Sequence, residues 1–105
     1  MNTKAGDRMR ALRELMGLTR HEMAEFLEID PMRYANVEKK NVRMAEAEFA
    51  AACSRFPEFM GYLTYEGKID IEELQNSQEK LVRFAAAAID AGKIPEGYFI
   101  EESIK

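Results

Sequence analysis

Two helix start signals, eleven residues apart, constrain the fold of this chain more than any other feature. Thr19 and Glu22 form a Thr-x-x-Glu capping box, in which each residue can satisfy a free backbone N–H of the other. Asp30 followed by Pro31 places a favoured N-cap before the first helical position, where proline is well tolerated. Two short helices, over residues 19–27 and 31–39, are therefore predicted to be joined by a tight connection.

The rest of the chain also has the spacing of helices. Apolar residues at helical intervals, with Gly and Pro at the ends, predict helices over residues 7–16, over 45–55, from Pro57 until Gly67 stops the next one, and from a Ser77 cap to residue 91. Residues 68–76 are predicted to be a polar connector, and Tyr98-Phe99-Ile100 is a short apolar stretch with no assigned conformation. The predicted fold class is all-α.

The distribution of charge separates two parts of the chain. The net charge is −4, yet residues 1–45 carry an excess of +2 and residues 46–105 an excess of −6. Such asymmetry is expected where one half faces a polyanion and the other faces water or a partner. We expect one domain over residues 1–67, the part that would face the polyanion, and a C-terminal helix and tail over residues 68–105 that would serve dimerisation or the binding of a partner.

The composition and hydropathy of the chain do not support several other classes of protein. One His, one Cys and no glycine-rich phosphate loop leave no catalytic, metal or cofactor site to assemble, so an enzyme is not expected. The chain has no run of 18 apolar residues and no apolar leader at its start, so no membrane association and a cytoplasmic location are expected.

The two short helices have the arrangement that a DNA-reading helix-turn-helix requires. The first helix braces across the sugar-phosphate backbone, and the second presents its N-terminal residues to base edges in the major groove. A small residue is needed where the helices cross, and Ala24 occupies that position. The motif is predicted to extend from Thr19 to Lys39.

The spacing of residues across this region resembles that of a known family. The pattern is Met9-x-x-Leu12-Arg13-x-x-x-Gly17-Leu18-Thr19-Arg20-x-x-Met23-Ala24-x-x-Leu27-x-Ile29, followed by Tyr34-x-x-Val37-Glu38 and later by Tyr62-Leu63-x-x-x-Gly67. It resembles the Xre/Cro-like family of phage repressors and bacterial transcriptional regulators over somewhat more than half the chain. The resemblance implies a five-helix repressor-like domain that binds an operator in double-stranded DNA.

The resemblance also implies roles for individual residues. Arg13 and Glu38 hold the positions of a family ion pair that ties the first helix to the third. The implied DNA-contacting positions lie at the start of the second helix, on the exposed face of the third and in the loop that follows it: Arg20, Pro31, Met32, Arg33, Asn36, Lys39, Lys40, Asn41 and Arg43. Glu28 and Lys40 stand where the family usually has glycine, so the turn needs either a strained backbone or another shape.

The base-reading roles have alternatives. Arg33 has the donors to read guanine, Asn36 has the groups to read adenine, and Met32 can contact a thymine methyl. Both polar residues are equally compatible with solvated positions or with phosphate contact alone. Arg20, Lys39, Lys40 and Arg43 are expected to contact phosphates, because they converge on one predicted face.

The C-terminal helix has two interpretations. Its apolar residues can form the seam of a homodimer or can pack against the chain's own domain; these residues are Leu81, Phe84, Ala85, Ala88 and Ile89. A homodimer would bind a pseudo-palindromic operator, as a repressor does. The alternative function is that of an antitoxin-like module. Its acidic C-terminal half, including Tyr98-Phe99-Ile100, would cover a partner protein.

Overall fold

The structure is a computed structural model, and it describes residues 4–39, 41–65 and 67–93. These residues form seven α-helices and one 3-10 turn, with no β-strand among them, which confirms the all-α prediction. In chain order, the helices are α1 (Ala5–Leu15), α2 (Arg20–Leu27), α3 (Pro31–Glu38), α4 (Glu46–Arg55), α5 (Met60–Tyr65, entered through the 3-10 turn Pro57–Phe59), α6 (Ile71–Gln75) and α7 (Lys80–Asp90).

The start signals of α2 and α3 act as the sequence predicts. The Thr19 hydroxyl accepts the Glu22 backbone N–H at 3.1 Å, and the Glu22 carboxylate accepts the Thr19 N–H at 2.9 Å. The Asp30 carboxylate accepts the Arg33 backbone N–H at 3.0 Å. Each local cap therefore fixes where its helix begins.

The connection between α2 and α3 depends on a left-handed residue. Glu28 ends α2 with φ 58 and ψ 43, and it is the only non-glycine residue with positive φ in the part of the chain that the structure describes. The reversal lets the Ile29 backbone N–H donate to the Ala24 carbonyl at 2.9 Å, which satisfies one of the last carbonyls of the helix. The turn thus keeps a glycine-type geometry without a glycine.

Helices α1 and α3 approach each other so closely at residue 6 that this position requires glycine. A Cβ built on Gly6 would lie 2.1 Å from the Val37 carbonyl oxygen, a distance that no side chain can occupy. Helix α1 begins at Ala5, two residues earlier than predicted, because the Asp7 carboxylate accepts the Lys4 backbone N–H at 3.0 Å. The glycine allows the first turn of α1 to pack against the end of α3.

The structure corrects the prediction for residues 68–76. This segment is not only a polar connector, since it contains α6, where the Asp70 carboxylate caps the Glu72 and Glu73 backbone N–H groups. Five residues are too few to show a helical period, so the pattern gave no signal. Helix α7 begins at Lys80 with Glu79 as its N-cap; the predicted cap, Ser77, instead accepts the Glu79 N–H at 3.0 Å.

One hydrophobic core joins the N-terminal and C-terminal helices. It contains Met9 and Leu12 of α1 together with Leu74 of α6 and Val82 of α7, each with no exposed surface. Helix α7 packs against α1 and α6. The predicted domain boundary at residue 67 stays a prediction, but the described part of the C-terminal segment shares its core with the rest. Within the described ranges, no helix has the length and apolarity needed to cross a membrane.

Replacing Glu28 with glycine is expected to stabilise the fold. Glycine adopts the left-handed conformation without the steric cost that a side chain meets there, so Glu28→Gly should raise the free energy of unfolding by about 1 kcal/mol. The matched control is Glu25→Gly in α2, which should lower it by about 1 kcal/mol because glycine disfavours a helix interior. Urea denaturation of both variants measures the difference, and a destabilised Glu28→Gly variant would contradict the account of the turn.

Candidate nucleic-acid interface

The carboxylate of Glu38 connects the first three helices. Arg13 of α1 donates from Nε to Oε2 at 2.7 Å and from Nη2 to Oε1 at 3.2 Å, so the ion pair implied by the resemblance is present. Arg20 of α2 donates from Nε to Oε1 at 3.1 Å. Tyr34, one turn earlier on α3, donates its hydroxyl to Oε2. One side chain of α3 is therefore hydrogen-bonded to both α1 and α2, which helps to set the orientation of α3 relative to them.

The burial of each side chain in this cluster determines how much its contacts contribute to the stability of the fold. The Glu38 side chain has no exposed surface and the Arg13 side chain is 12% exposed, whereas the Arg20 side chain is 45% exposed. Burial opposes the charge of Arg13, but the hydrogen bond and charge of Glu38 outweigh it, and the pKa of Arg13 is raised. Burial, together with the charge of Glu38, raises the pKa of Tyr34 above its ordinary value, so its hydroxyl remains a donor.

The opposite face of α3 is open at its N-terminal end. Pro31 and Met32 are exposed, and Met32 is 75% exposed. Asn36 is half-buried, and its amide oxygen accepts from the Asn41 amide at 3.4 Å. Most of the surface of Met32 thus faces solvent beside the helix N-terminus, where backbone N–H groups and the helix dipole favour an anion.

Arg33 is held in place by contacts that the sequence did not predict. Its Nε and Nη2 donate to the two carboxylate oxygens of Glu48 in α4 at 3.1 and 3.0 Å, and Nη2 also donates to the Arg43 carbonyl at 2.8 Å. The hydrogen bond from Arg33 lowers the pKa of Glu48, and the same bond raises the pKa of Arg33. Of the guanidinium nitrogens of Arg33, only Nη1 takes no part in these hydrogen bonds.

The remaining implied contacts lie around the C-terminal end of α3. Lys39, Asn41 and Arg43 are exposed, and Lys40 lies outside the described residues. Acidic residues are exposed near the turn between α2 and α3, at Glu25 and Glu28. The surface is therefore basic near the end of α3 and acidic near the turn.

The proposed dimer residues of α7 divide into two groups. Ala85 and Ile89 belong to the core of their own chain, and Leu81 and Ala88 are partly buried against it, so these four take part in intramolecular packing. Phe84 is 55% exposed. Of the five, only Phe84 presents most of its surface to solvent.

Sequence reasoning missed part of this arrangement. Tyr34 and Glu38 are four residues apart on one helix, a spacing that places side chains together and could have shown their contact. Arg33 and Glu48 lie on different helices with no local signal that pairs them.

No cluster of His, Cys, Asp or Glu in the described ranges has the composition of a metal site. Comparison of the chain with protein-family models, with curated proteins and with solved structures gives no match.

Removing the charge of Glu38 is expected to be strongly destabilising. Glu38→Gln keeps the shape of the side chain but leaves Arg13 without a carboxylate in a buried position, which should cost about 3 kcal/mol in free energy of unfolding. Arg20→Ala removes the exposed arm of the same cluster and should cost less than about 1 kcal/mol. Denaturant titration distinguishes the two, and equal effects would show that burial is not the deciding factor.

The link between α3 and α4 should weaken in acid. Because the folded pKa of Glu48 is lowered, its contribution to stability is present above its ordinary pKa of about 4.5 and is lost as the pH falls through the lower folded value. Glu48→Gln should therefore be less stable than the original chain near neutral pH, and the two should converge as the pH falls below that range. Unfolding curves over a pH series measure this, and a difference that does not change with pH would argue against an ionic link.

Proposed function

We propose that this chain is a DNA-binding transcriptional regulator of the Xre/Cro-like type, most simply a repressor, in which α2 and α3 form a helix-turn-helix. One observation carries the proposal. The inner face of α3 is fixed to α1 and α2 through Glu38, while its N-terminal end leaves Met32 75% exposed beside a tight turn. A short helix that is held rigidly and open at its N-terminus is what insertion into a major groove requires.

Rigidity of this kind favours recognition. A reading helix that is already oriented loses little conformational freedom on binding, so more of the contact energy is available for affinity. Two of the donors that hold α3, those of Arg13 and Tyr34, come from buried or nearly buried side chains. We expect these contacts to remain in place when DNA binds.

The roles of the exposed residues follow from their contacts. Met32 would meet a thymine methyl, and Asn36 would read a base once its amide is released from Asn41. Arg33 cannot offer both Nε and Nη2 to a guanine while Glu48 holds them, so its Nη1 would contact a phosphate. The other phosphate contacts are assigned to Arg20, Lys39, Lys40 and Arg43.

A homodimer fits this proposal. Two α3 helices about 34 Å apart would enter successive major grooves on one side of a pseudo-palindromic operator. The five-helix domain would then be formed by α1 to α5, and α6 and α7 would be the additional C-terminal part.

A second candidate is an antitoxin-like module whose acidic half binds a partner protein. The observation in its favour is the pairing of Arg20 and Arg33 with carboxylates of the chain itself, which reduces the positive charge available to DNA. Exposed carboxylates at Glu72 and Glu73 give the C-terminal half an acidic surface that a basic partner would fit. In this case DNA binding is weak or absent.

Selection of bound sequences from random double-stranded DNA tests the proposal directly. We expect enrichment of a two-fold symmetric site. If each protomer neutralises four phosphates, through Arg20, Lys39, Lys40 and Arg43, because Glu48 already compensates the charge of Arg33, the logarithm of the affinity should fall with the logarithm of salt with a slope of about −7 for the dimer. Lys39→Ala should weaken all sequences alike and reduce the slope by about 2 for the dimer, whereas Met32→Ala should change the preference at one base position.

The outcomes separate the two candidates. Failure to bind any DNA at low salt, with a basic protein retained during purification, would favour the partner-binding module. Binding with an unchanged slope in the Lys39→Ala variant would remove that residue from the interface.

A further inference from the structure

The methionines of this chain differ in their exposure to solvent. Six of the seven lie within the described residues, and five of these belong to the core or are half-buried against it: Met9, Met16, Met23, Met44 and Met60. Met32, the second residue of α3, is 75% exposed and takes no part in that core. Among the described residues, Met32 is therefore the thioether most open to a reagent in solution.

Exposure matters because the thioether of methionine is readily oxidised. In the reaction with hydrogen peroxide, a sulfur lone pair attacks one peroxide oxygen, an S–O bond forms and the O–O bond breaks. The hydrogen of the transferred oxygen passes to the departing oxygen, which leaves as water. The sulfur loses two electrons, the peroxide gains two, and an apolar side chain becomes a polar sulfoxide that methionine sulfoxide reductases can reduce again.

Oxidation of Met32 should leave the fold intact, because its side chain holds no part of α3 in place. The helix is capped by the Asp30 carboxylate, which accepts the Arg33 backbone N–H. Its inner face is held by Tyr34 and Glu38, which are buried and hydrogen-bonded to each other. A sulfoxide at position 32 is solvated in the free chain, so the modification buries no polar group.

The same change is unfavourable in the proposed DNA complex. The proposed function assigns Met32 an apolar contact with a thymine methyl. A sulfoxide oxygen placed against that methyl group loses its hydrogen bonds to water and gains none in return. Oxidation therefore weakens the sequence-specific part of binding, whereas the phosphate contacts assigned to Lys39 and Arg43 are unchanged.

We propose that Met32 is a site of reversible oxidation by hydrogen peroxide, and that its sulfoxide lowers the affinity of the chain for its DNA site while the fold is preserved. The effect on DNA affinity rests on the proposed function. The position of the oxidation site rests only on the exposure of the methionines.

Cys53 is a second exposed sulfur within the described ranges. It lies in α4, and no DNA contact is assigned to it. A dithiol reductant reverses a disulfide or a sulfenic acid at Cys53 and leaves methionine sulfoxide unchanged. Treatment with a dithiol after the peroxide therefore distinguishes the two sulfurs.

Peptide mapping by mass spectrometry tests the oxidation site without DNA. The full chain is treated with increasing hydrogen peroxide, and the added oxygen is located by fragmentation. Met32 should be oxidised at least about 10-fold faster than Met9 and Met23, because peroxide reaches those two only when the core opens. Circular dichroism should stay unchanged when Met32 is fully oxidised. Oxidation of the buried methionines at the same rate would overturn the assignment.

The affinity for the selected DNA site tests the consequence of oxidation. After dithiol treatment, the oxidised chain should bind at least about 10-fold more weakly than the untreated chain. A methionine sulfoxide reductase should restore the affinity. The slope of affinity against salt should be the same before and after oxidation, because the phosphate contacts remain. A changed slope would place the effect at the phosphate contacts and contradict the proposal.

Two substitutions at the same position are the matched controls. Met32→Leu keeps an apolar side chain that peroxide does not oxidise, so its DNA affinity should be insensitive to peroxide. Met32→Gln introduces a polar group on a side chain of similar length and should bind weakly without any peroxide. Both variants keep Cys53 and also Met1, which lies outside the described residues. If peroxide weakens Met32→Leu as much as the original chain, the sensitive residue lies elsewhere and the proposal is wrong.

The remaining outcomes separate this inference from the proposed function. A chain that binds no DNA overturns the proposed function and the effect of oxidation on affinity with it, while peptide mapping still decides the oxidation site. A chain that selects a DNA site and binds it equally well after oxidation of Met32 overturns this inference alone.

Discussion

The burial of one carboxylate determines how the first half of this molecule is arranged. Glu38 has no exposed side-chain surface, and a buried carboxylate is tolerated only where enough donors replace the water it has lost. Arg13, Arg20 and Tyr34 supply those donors, one from each of the first three helices. The angle of α3 therefore follows from the need to satisfy Glu38 as well as from the packing of apolar residues around it.

A second carboxylate has the same effect at the outer edge of α3. Glu48 accepts two hydrogen bonds from Arg33, and its Oε1 also accepts the backbone N–H of Ala45 at the start of α4. One side chain thus caps α4 and fixes the position of Arg33. The consequence for function is that rigidity is gained at the expense of free positive charge, so the proposed interface depends on Lys39, Arg43 and the apolar Met32 more than on Arg33.

Much of the fold was accessible from the sequence because its signals are local. The caps at Thr19 and Asp30 act through hydrogen bonds between residues three positions apart, so their effect does not depend on the rest of the chain. Helix α6 was not predicted, because its five residues do not complete two helical turns. Of the candidate site, the positions of Met32 and the Arg13–Glu38 pair were accessible, whereas the partner of Arg33 was not, since Glu48 is fifteen residues away on another helix.

The sequence by itself determined the helical class, the two helix starts at Thr19 and Asp30-Pro31, and the exposure of Pro31 and Met32 on α3, whereas Arg33 and Asn36, also expected on that face, are half-buried. Only the tertiary structure decided that Arg33 is held by Glu48, that Glu38 joins three helices, and that Ala85 and Ile89 are in the core while Phe84 is exposed. The physical reason is the separation along the chain over which each interaction acts. Caps and helical periods act over a few residues, but burial and the pairing of charges depend on which distant segments the folded chain brings into contact.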